Sequence, residues 1–407
     1  MKRSIRAGIS LAAVLFVVSS ALAEAPAVTY DLSLIQPEQK AWVSGYWGYN
    51  APKLVYDGTN YCSASLTGVE EANSRGVVYK RAEGKWVKSY ECPINYQPPM
   101  LLLDSQKRLI LIHSVMNARP VILRAKAAGD CKNLAPLEVS SEITAAGYIG
   151  AAIHNDLLIL GYLGKRGYDF CVITCDLKTG KWSPQVMLAP QQRDRIPYTT
   201  WLYPCIWPDK DGFHLLVANH SGYKNLYDRV HYMFLPYDLR VGQLEPELVQ
   251  SIDTFEDRMA FSMALWRDAS DGSMMATALY SPTSRSQLFQ VFRREARTGK
   301  WSKSEPGKGY VASLYQVPGD SNTVWVPVTD GSGVALYRST DKCRSWQAAQ
   351  LPDFGAAGVT GAAGFLYGIS PTSGSVIEGG PAAVFSTYGP GGYSHWFVEF
   401  HTPGSRK

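Results

Sequence analysis

The sequence repeats short apolar runs and turns at a spacing of roughly fifty residues, and this repeat constrains the fold more than any other feature. Four of the turns end in tryptophan, in the stretches EGKW, TGKW, TGKW and CRSW, at Trp86, Trp182, Trp301 and Trp346. A second series of turns, rich in Asp, Asn and Gly, falls between them at Asp57, Asp104, Asn155, Asp211, Asp271 and Asp320. A period of this length indicates a repeat architecture such as a β-propeller.

The apolar runs between the turns have the composition of β-strands. MLLLD, RLILIH and LLILGY are short, rich in aliphatic residues, and bounded by Asp, Asn or Gly. The sequence shows no sustained helical period. Many short strands with evenly spaced turns predict a sandwich, a barrel or a propeller, and the length of the period selects the propeller.

We predict an all-β fold, a seven-bladed β-propeller whose N-terminal strand closes the last blade. In each repeat, the Asp/Gly turn joins the first strand to the second, and the tryptophan turn joins the third to the fourth. The last repeat runs out of sequence after SHWFVEF, so AVTYDLSLI at residues 27–35 is expected to supply its outer strand and leave no open edge. Six or eight blades are the alternatives left open. The repeats begin near Trp42, Gln97, Ala146, Thr200, Arg258, Gly309 and Ala356.

The stretch STDKCRSW, residues 339–346, reads as a degenerate Asp-box, Ser-x-Asp-x-Gly-x-Thr-Trp. Cys343 takes the place of the glycine, and Ser345 that of the threonine. The Asp-box is a turn between the two outer strands of a propeller blade. We therefore assign this stretch to the turn between the third and fourth strands of blade six, with Asp341 and Trp346 in structural roles.

Residues 1–23 have the features of a cleavable signal peptide, in which Lys2, Arg3 and Arg6 precede an apolar run that ends in ALA. Residues 24–407 are expected to form one propeller domain in the periplasm or outside the cell. Removing the leader removes three of the 40 basic residues and none of the 35 acidic ones, which lowers the formal net charge from +5 to +2. This near-neutral balance argues against nucleic acid as a partner, and no other stretch predicts a membrane span.

The chain has seven cysteines, and an exported protein can pair some of them, although the odd number leaves at least one over. Cys62 and Cys92, both in the first repeat, are the one pair we predict. Cys171 and Cys175 lie in FCVITC, which reads as a strand. Four strand residues span roughly 13 Å, too far for a disulfide or for two ligands on one zinc ion. We therefore expect structural roles for this pair.

The loops at one face of the predicted ring are rich in Arg, Tyr, His and Trp. Ligands of propellers sit over the central channel, where loops enter the first strand of each blade and join its second strand to its third. Cations gathered there attract anions, and aromatic rings offer flat apolar surface to sugars, although loops are often polar without any such role. The pattern favours an acidic polysaccharide or oligosaccharide as the partner. The candidate ligand-binding residues are Tyr96, Arg119, Arg166, Arg193, Arg195, Asn219, Tyr223, Lys224 and Arg258.

Two stretches resemble the BNR-repeat (Asp-box-repeat) β-propellers that include ulvan lyases and related polysaccharide lyases. PPMLLLDSQKRLILIHS, residues 98–114, is similar to the second blade of that group, in which a histidine ends the second strand, as His113 does here. LYPCIWPDKDGFHLLVANHSGYKNLY, residues 202–227, is similar to its Tyr-Pro strand, hairpin and SG-x-x-N-LY loop. The similarity is concentrated in blades two and four.

The resemblance implies an enzyme that breaks a uronate chain by β-elimination. In such lyases the tyrosine of Tyr-Pro transfers a proton, and Tyr203 matches it. An arginine near the end of the next strand handles the uronate carboxylate, and Asn219 or His220 occupies that position here. The family's other histidine is Tyr96 or Gln97 in this sequence. The cations that could replace the family arginine are Arg193, Arg195 and Lys224.

The chemistry of β-elimination needs a proton-transfer group and a nearby cation. The C5 proton of a uronate is weakly acidic, and a cation that neutralises the adjacent carboxylate stabilises the developing enolate. A tyrosine, which ordinarily titrates near 10, can act as the base if positive charge lowers its pKa, and a histidine can act near neutral pH. We therefore predict His113, Tyr203 and His220 as catalytic residues, with Arg195 near them.

Two other functions remain open, a sialidase-like glycoside hydrolase and a non-catalytic glycan-binding propeller. RIP at residues 195–197 echoes the sialidase Arg-Ile-Pro signal, but it lies in the middle of the chain. Most glycosidases need two carboxylates facing each other across the sugar, and Glu70, Glu71 and Asp257 form no recognisable pair. No cofactor is predicted. The sequence leaves open whether a divalent cation binds, either in a structural role or to neutralise the substrate carboxylate. We expect a monomer.

Overall fold

A computed structural model of the 407-residue chain gives the fold. The predicted leader, residues 1–23, lies outside the residues that the structure describes. Among the residues that the structure describes, no helix is long and apolar enough to span a membrane. The described residues are 25–46, 52–94, 97–115, 118–164, 169–189, 200–220, 227–238, 247–251, 259–283, 286–311, 313–320, 322–331, 333–377 and 379–403.

The strands form seven small antiparallel sheets, which are the blades of a propeller. The first strand, β1 (Thr29–Gln39), belongs to the last blade. Blade one contains β2 (Leu54–Tyr56), β3 (Tyr61–Thr67), β4 (Arg75–Ala82) and β5 (Lys85–Pro93). Blade two contains β6 (Met100–Leu103), β7 (Leu109–His113), β8 (Val121–Ala125) and β9 (Leu134–Leu137). Blade three contains β10 (Gly147–His154), β11 (Leu157–Leu163), β12 (Phe170–Asp176), β13 (Lys181–Trp182) and β14 (Val186–Ala189).

Four further blades complete the ring. Blade four contains β15 (Thr200–Pro208), β16 (Gly212–His220), β17 (Tyr227–Pro236) and β18 (Glu247–Ser251). Blade five contains β19 (Met259–Arg267), β20 (Met274–Thr283), β21 (Ser286–Arg294), β22 (Trp301–Lys303) and β23 (Gly307–Lys308). Blade six contains β24 (Tyr310–Val311), β25 (Tyr315–Gln316), β26 (Val324–Thr329), β27 (Val334–Ser339) and β28 (Gln347–Ala348). Blade seven contains β29 (Ala362–Gly368), β30 (Ala382–Gly389) and β31 (Gly392–His401), together with β1. Short 3-10 turns span Glu71–Asn73 and Pro371–Ser373.

The predicted all-β, seven-bladed propeller is confirmed, including its closure by the N-terminal strand. β1 runs antiparallel to β31, with Leu32 opposite Val398. This pairing gives blade seven its outer strand, so the start of the described chain is joined to its end.

Neighbouring blades are held together by apolar side chains on both faces of each sheet. In β6, Leu101 and Leu103 pack into a cluster shared with blade one. The alternate residues Met100 and Leu102 pack into a cluster shared with blade three. Because successive strand residues point to opposite faces, a strand buried on both sides reads as the continuous apolar run that the sequence shows.

Blade one begins later than predicted, at Leu54 rather than near Trp42. The backbone N–H of Trp42 donates to the Gly68 carbonyl at 3.1 Å, and its indole N–H donates to Ser74 Oγ at 2.7 Å. Tyr46 is only 2% exposed. These residues therefore anchor the segment before blade one against that blade instead of forming its first strand.

The stretch STDKCRSW forms the turn between β27 and β28 of blade six, as predicted. Asp341 Oδ1 accepts hydrogen bonds from the backbone N–H groups of Arg344 (2.9 Å) and Ser345 (3.0 Å), and Oδ2 accepts one from Ser345 Oγ (2.6 Å). Cys343 has a φ of 67°, in the left-handed region that favours glycine. Its side chain is buried, with Sγ 3.5 Å from Met275 Sδ, so core packing offsets the cost of this conformation.

The predicted pairing of Cys62 with Cys92 is wrong. All seven cysteines are free and buried, and Cys62 Sγ lies 2.8 Å from Cys131 Sγ in blade two. Cys92 pairs in register with Gly76, which pairs with Leu66, four residues along β3 from Cys62. That separation along the strand is roughly 13 Å, too long for a disulfide.

Cys171 and Cys175 lie on one strand, β12, and both are buried in the cluster between blades two and three. Burial raises the pKa of Cys171 to about 12 and that of Cys175 to about 11. Among the described residues, no group of three or more His, Cys, Asp or Glu side chains is placed to hold a metal ion.

Replacing Asp341 by alanine is expected to lower the free energy of unfolding by about 1–3 kcal/mol, because two backbone N–H groups and the hydroxyls of Ser339 and Ser345 lose their acceptor. Denaturant unfolding of the Asp341→Ala variant tests this. Asp211→Ala is the control, since the Asp211 side chain is 73% exposed in the turn between β15 and β16; a change of about 0.5 kcal/mol or less is expected there. Equal effects in the two variants would contradict a structural role for Asp341.

Candidate functional site

The candidate site lies at one end of the ring. The first two strands of blades two, three and four are antiparallel. The starts of β6, β10 and β15 therefore lie at the same end as the ends of β7, β11 and β16, and we call this the upper end. His113 ends β7, His220 ends β16, and Tyr203 lies near the start of β15. The topology thus brings the three predicted catalytic residues to one end of the propeller.

A cluster of four rings from blades three and four occupies the upper end. The ring centroids of Tyr148 and Tyr203 are 5.3 Å apart, and those of Tyr203 and Tyr227 are 5.6 Å apart. Those of Tyr227 and His220 are 4.9 Å apart. Tyr203 is only 3% exposed, whereas Tyr227 and His220 are partly exposed. The cluster therefore extends from the buried side chain of Tyr203 to the partly exposed imidazole of His220.

The backbone is strained where this cluster forms. Tyr148 has a φ of 46° and Tyr203 a φ of 54°, in the left-handed region that bulky residues rarely adopt. Each lies at an irregularity of strand pairing, between Gly147 and Gly150 in β10 and between Leu202 and Cys205 in β15. Such bulges re-aim side chains and are frequent next to active sites.

Gly150 makes room for the bulge of β15. A Cβ at that position would collide with the backbone carbonyl of Pro204, the residue after Tyr203. Gln97 supports the same stretch, because its side-chain amide donates to the Ile149 carbonyl at 3.0 Å and accepts from the Ile149 N–H at 3.3 Å. Gln97 is one of the two residues that stand where the resemblance places the family's other histidine. In this chain it therefore has a structural role.

Tyr227 is a neutral phenol near pH 7. Burial raises its pKa, the hydrogen bond with the Tyr203 side chain lowers it, and Tyr148 raises it, with a net pKa of about 12. The Tyr203–Tyr227 pair is thus linked by a side-chain hydrogen bond, and the protonated hydroxyl of Tyr227 can act as a proton donor. The partly exposed imidazole of His220 lies against the outer member of this pair.

His113 belongs to blade two, and its imidazole contacts the backbone of Pro93 rather than the four-ring cluster. Its Nδ1 lies 3.1 Å from the Pro93 carbonyl oxygen, and its side chain is nearly buried. Burial lowers the pKa of His113, while the hydrogen bond to Pro93 raises it less, so the net shift is downward. His113 is at the same end of the ring as the four-ring cluster, one blade away from Tyr148.

Two other predicted residues lie within the described part of the chain. Asn219 is 3% exposed and stands opposite Arg229 in the register of β16 and β17. Arg119 donates to the Val139 carbonyl. The remaining predicted binding residues lie outside the described residues: Tyr96, Arg166, Arg193, Arg195, Tyr223, Lys224 and Arg258.

Sequence reasoning missed Tyr148, Tyr227 and Arg229. Tyr227 ends the SG-x-x-N-LY stretch, so its motif was visible although its contact with Tyr203 was not. Tyr148, in GYIG, had only its flanking glycines as a signal. Arg229 is exposed and becomes a candidate only through its register partner Asn219.

The lower end of the ring carries two adjoining cavities of about 560 Å³ and 290 Å³. Both are lined by Trp207 and Arg267. Asp209 lies 3.4 Å from the Arg267 guanidinium and forms an ion pair with it. We place the candidate site at the upper end instead, because there a hydrogen-bonded tyrosine pair and a partly exposed histidine are in mutual contact.

No protein-family model matches the sequence, and no curated protein matches it. Solved structures do. An ulvan lyase of polysaccharide lyase family PL25, bound to -[GlcA(1-4)Rha3S]-, matches with a TM-score of 0.62 over 92% of this chain and 94% of that chain, at 10% identity. Polysaccharide lyase Uly1 matches with a TM-score of 0.58 over 89% of this chain and 92% of that chain, at 8% identity. These comparisons establish the propeller fold, and the activity has to be argued from the site.

The lowered pKa of His113 predicts a neutral imidazole at pH 7, with a titration midpoint below the ordinary value of about 6.5. Because the folded protein binds this proton less readily than the unfolded chain, protonation below that pH destabilises the fold. NMR titration of the imidazole nitrogens measures the midpoint, and the His113→Asn variant assigns the signal. A midpoint above that of an unfolded histidine would contradict the prediction.

Proposed function

We propose that this chain is a lyase that cleaves an acidic, uronate-containing polysaccharide by β-elimination. The observation that carries the proposal is the contact chain from Tyr203 through Tyr227 to His220 at the upper end of the ring. β-Elimination needs one group that removes the C5 proton and another that protonates the leaving oxygen. A histidine beside hydrogen-bonded tyrosines supplies both types of group.

His220 takes the C5 proton in this proposal. Its imidazole is partly exposed, so a bound sugar can reach it, and imidazoles accept protons near neutral pH. Tyr227 gives a proton to the leaving glycosidic oxygen, since its pKa of about 12 keeps it protonated before the reaction. Tyr203, behind it, donates the hydrogen bond that steadies the developing phenolate of Tyr227 and can pass on its own proton.

A guanidinium group completes the chemistry by neutralising the uronate carboxylate. Among the described residues, exposed Arg229, opposite Asn219, is our first candidate. Arg193, Arg195 and Lys224 belong to chain segments next to β15 and β16 and remain candidates from the sequence. A planar guanidinium binds a carboxylate through two parallel hydrogen bonds and so fixes the sugar as well as stabilising the enolate.

Export of the chain belongs to the same proposal. A polymer too large to cross a membrane has to be cleaved outside the cytoplasm, and the basic and apolar pattern of residues 1–23 fits a cleavable leader. N-terminal sequencing of the exported protein tests this, with a mature start near residue 24 expected and an intact leader as the contrary result.

Incubation with a panel of uronate polysaccharides is the direct test of activity. A lyase produces an unsaturated uronate, which absorbs in the ultraviolet, together with new reducing ends. A hydrolase produces reducing ends without that absorbance, and a glycan-binding propeller produces neither. Either of the last two results over the whole panel would overturn the proposal.

Variants of the ring cluster test the assignment of roles. His220→Asn and Tyr227→Phe are expected to lower kcat by about 10²–10⁴-fold, because each removes a proton-transfer group. Tyr203→Phe is expected to have a smaller effect on kcat, since its hydroxyl acts through Tyr227. Tyr162→Phe is the matched control: this buried tyrosine of β11 donates to Gln185, and its side chain packs between blades two and three, on the opposite face of blade three from Tyr203. Unchanged kcat in the first two variants, or an equal loss in the control, would contradict these roles.

A further inference from the structure

Two cysteines from neighbouring blades face each other with their sulfur atoms in contact. Cys62 lies in β3 of blade one, and Cys131 lies in the turn between β8 and β9 of blade two. Their Sγ atoms are 2.8 Å apart, and the residues are 4% and 3% exposed. This contact has no part in the proposed catalytic chemistry, which takes place at the upper end of blades three and four.

We propose that Cys62 and Cys131 form a disulfide that ties blade one to blade two. A disulfide bond is about 2.05 Å long, so the two sulfur atoms need to approach by less than about 1 Å. Two of the other buried thiols contact different groups. Cys92 Sγ lies 3.7 Å from the Gly76 carbonyl, and Cys343 Sγ lies against Met275.

The residues around the pair hold the turn of blade two in place. Lys80, the register partner of Cys62 in β4, donates from Nζ to the Gly129 carbonyl at 2.7 Å. Asp130 Oδ1 accepts from the backbone N–H groups of Lys132 (2.8 Å) and Asn133 (3.0 Å). Because these contacts fix the turn on both sides of Cys131, its sulfur is presented to Cys62 by the native fold.

Cys131 is the thiol that reacts first in this proposal, because it lies in a turn between two strands whereas Cys62 lies within the strand β3. The hydrogen bond with Cys62 lowers the pKa of Cys131, burial raises it, and Lys80 lowers it, with a net shift downward. The pKa of Cys62 is raised by the same hydrogen bond and by burial. Cys131 also lies in a turn whose neighbouring residues Lys132 and Asn133 are exposed, so local opening of the turn presents Cys131 first.

The reaction is thiol–disulfide exchange with a disulfide donor, written RSSR, such as a small-molecule disulfide or a protein oxidant outside the cytoplasm. The Cys131 thiolate attacks one donor sulfur, forms a mixed disulfide and releases RS⁻. The deprotonated Cys62 sulfur then attacks the Cys131 sulfur and releases the second RS⁻. The two protein thiols lose two electrons and two protons, and the donor is reduced to two RSH molecules.

Peptide mapping of the full-length chain identifies the bond. The protein is refolded in oxidised and reduced glutathione, alkylated and digested with trypsin without reduction. We expect a cross-linked species that joins peptide 54–75, which contains Cys62, to peptide 127–132, which contains Cys131. Cys92 falls in a separate peptide, so the digest distinguishes the two pairings. A bond from Cys62 to Cys92, or alkylation of all seven cysteines, would overturn the proposal.

Thermal unfolding gives a second, independent measurement. The folded protein is incubated with oxidised glutathione and then melted with and without a reductant. Reduction is expected to lower Tm by about 3–6 °C, because the bond restrains the unfolded chain between blades one and two. The Cys62→Ser/Cys131→Ser variant should lose this dependence, and Cys92→Ser should keep it. A Tm of the wild-type protein that does not respond to reductant would count against the bond.

These results are separable from the lyase proposal. The peptide map and the melting curves need no substrate, and the reduced protein can be assayed on the polysaccharide panel at a temperature below its Tm. An inactive protein with the bond would refute only the lyase, and an active protein without it would refute only the disulfide.

Discussion

The antiparallel pairing of β1 with β31 is the interaction on which the rest of the structure depends. It joins the start of the described chain to its end, and it completes blade seven with a strand that no nearby sequence supplies. Blade seven contributes Val398 to the cluster shared with blade six and Phe397 to the cluster shared with blade one. Since each blade is buried on both faces by its neighbours, closing the ring gives the first and last blades the same environment as the others.

Closure also determines where the chemistry of the protein can lie. In blades two, three and four the first two strands form an antiparallel pair, so the same end of the ring collects the starts of the first strands and the ends of the second ones. Tyr203 and His220 are seventeen residues apart in sequence and become neighbours because β15 and β16 form a hairpin. The bulges at Tyr148 and Tyr203 then turn two side chains of adjacent blades toward each other, and Gly150 leaves the space that the second bulge needs.

The two proposals place different chemistry on the two sides of this scaffold. In the proposed lyase, rings and hydroxyl groups of blades three and four move protons, and the bulges of β10 and β15 turn two of these rings toward each other. Blades one and two hold a pair of thiols whose oxidation would tie these two blades together. A proton-transfer site needs its partners held in fixed positions, and a ring whose early blades are covalently tied resists the shear that would misplace them.

The sequence by itself determined the fold class, the closing strand and the turn formed by STDKCRSW, because these depend on local turn chemistry and on a period that is visible along the chain. It favoured seven blades but left six and eight open, and the seven sheets of the tertiary structure decided the number. It also marked Tyr203, His220 and His113 as residues at one end of the ring. Only the tertiary structure decided that Tyr227 and Tyr148 complete the cluster, that Arg229 stands opposite Asn219, and that Cys62 meets Cys131 rather than Cys92. These contacts join different strands or blades, and their geometry depends on bulges and register, which a repeat pattern does not specify.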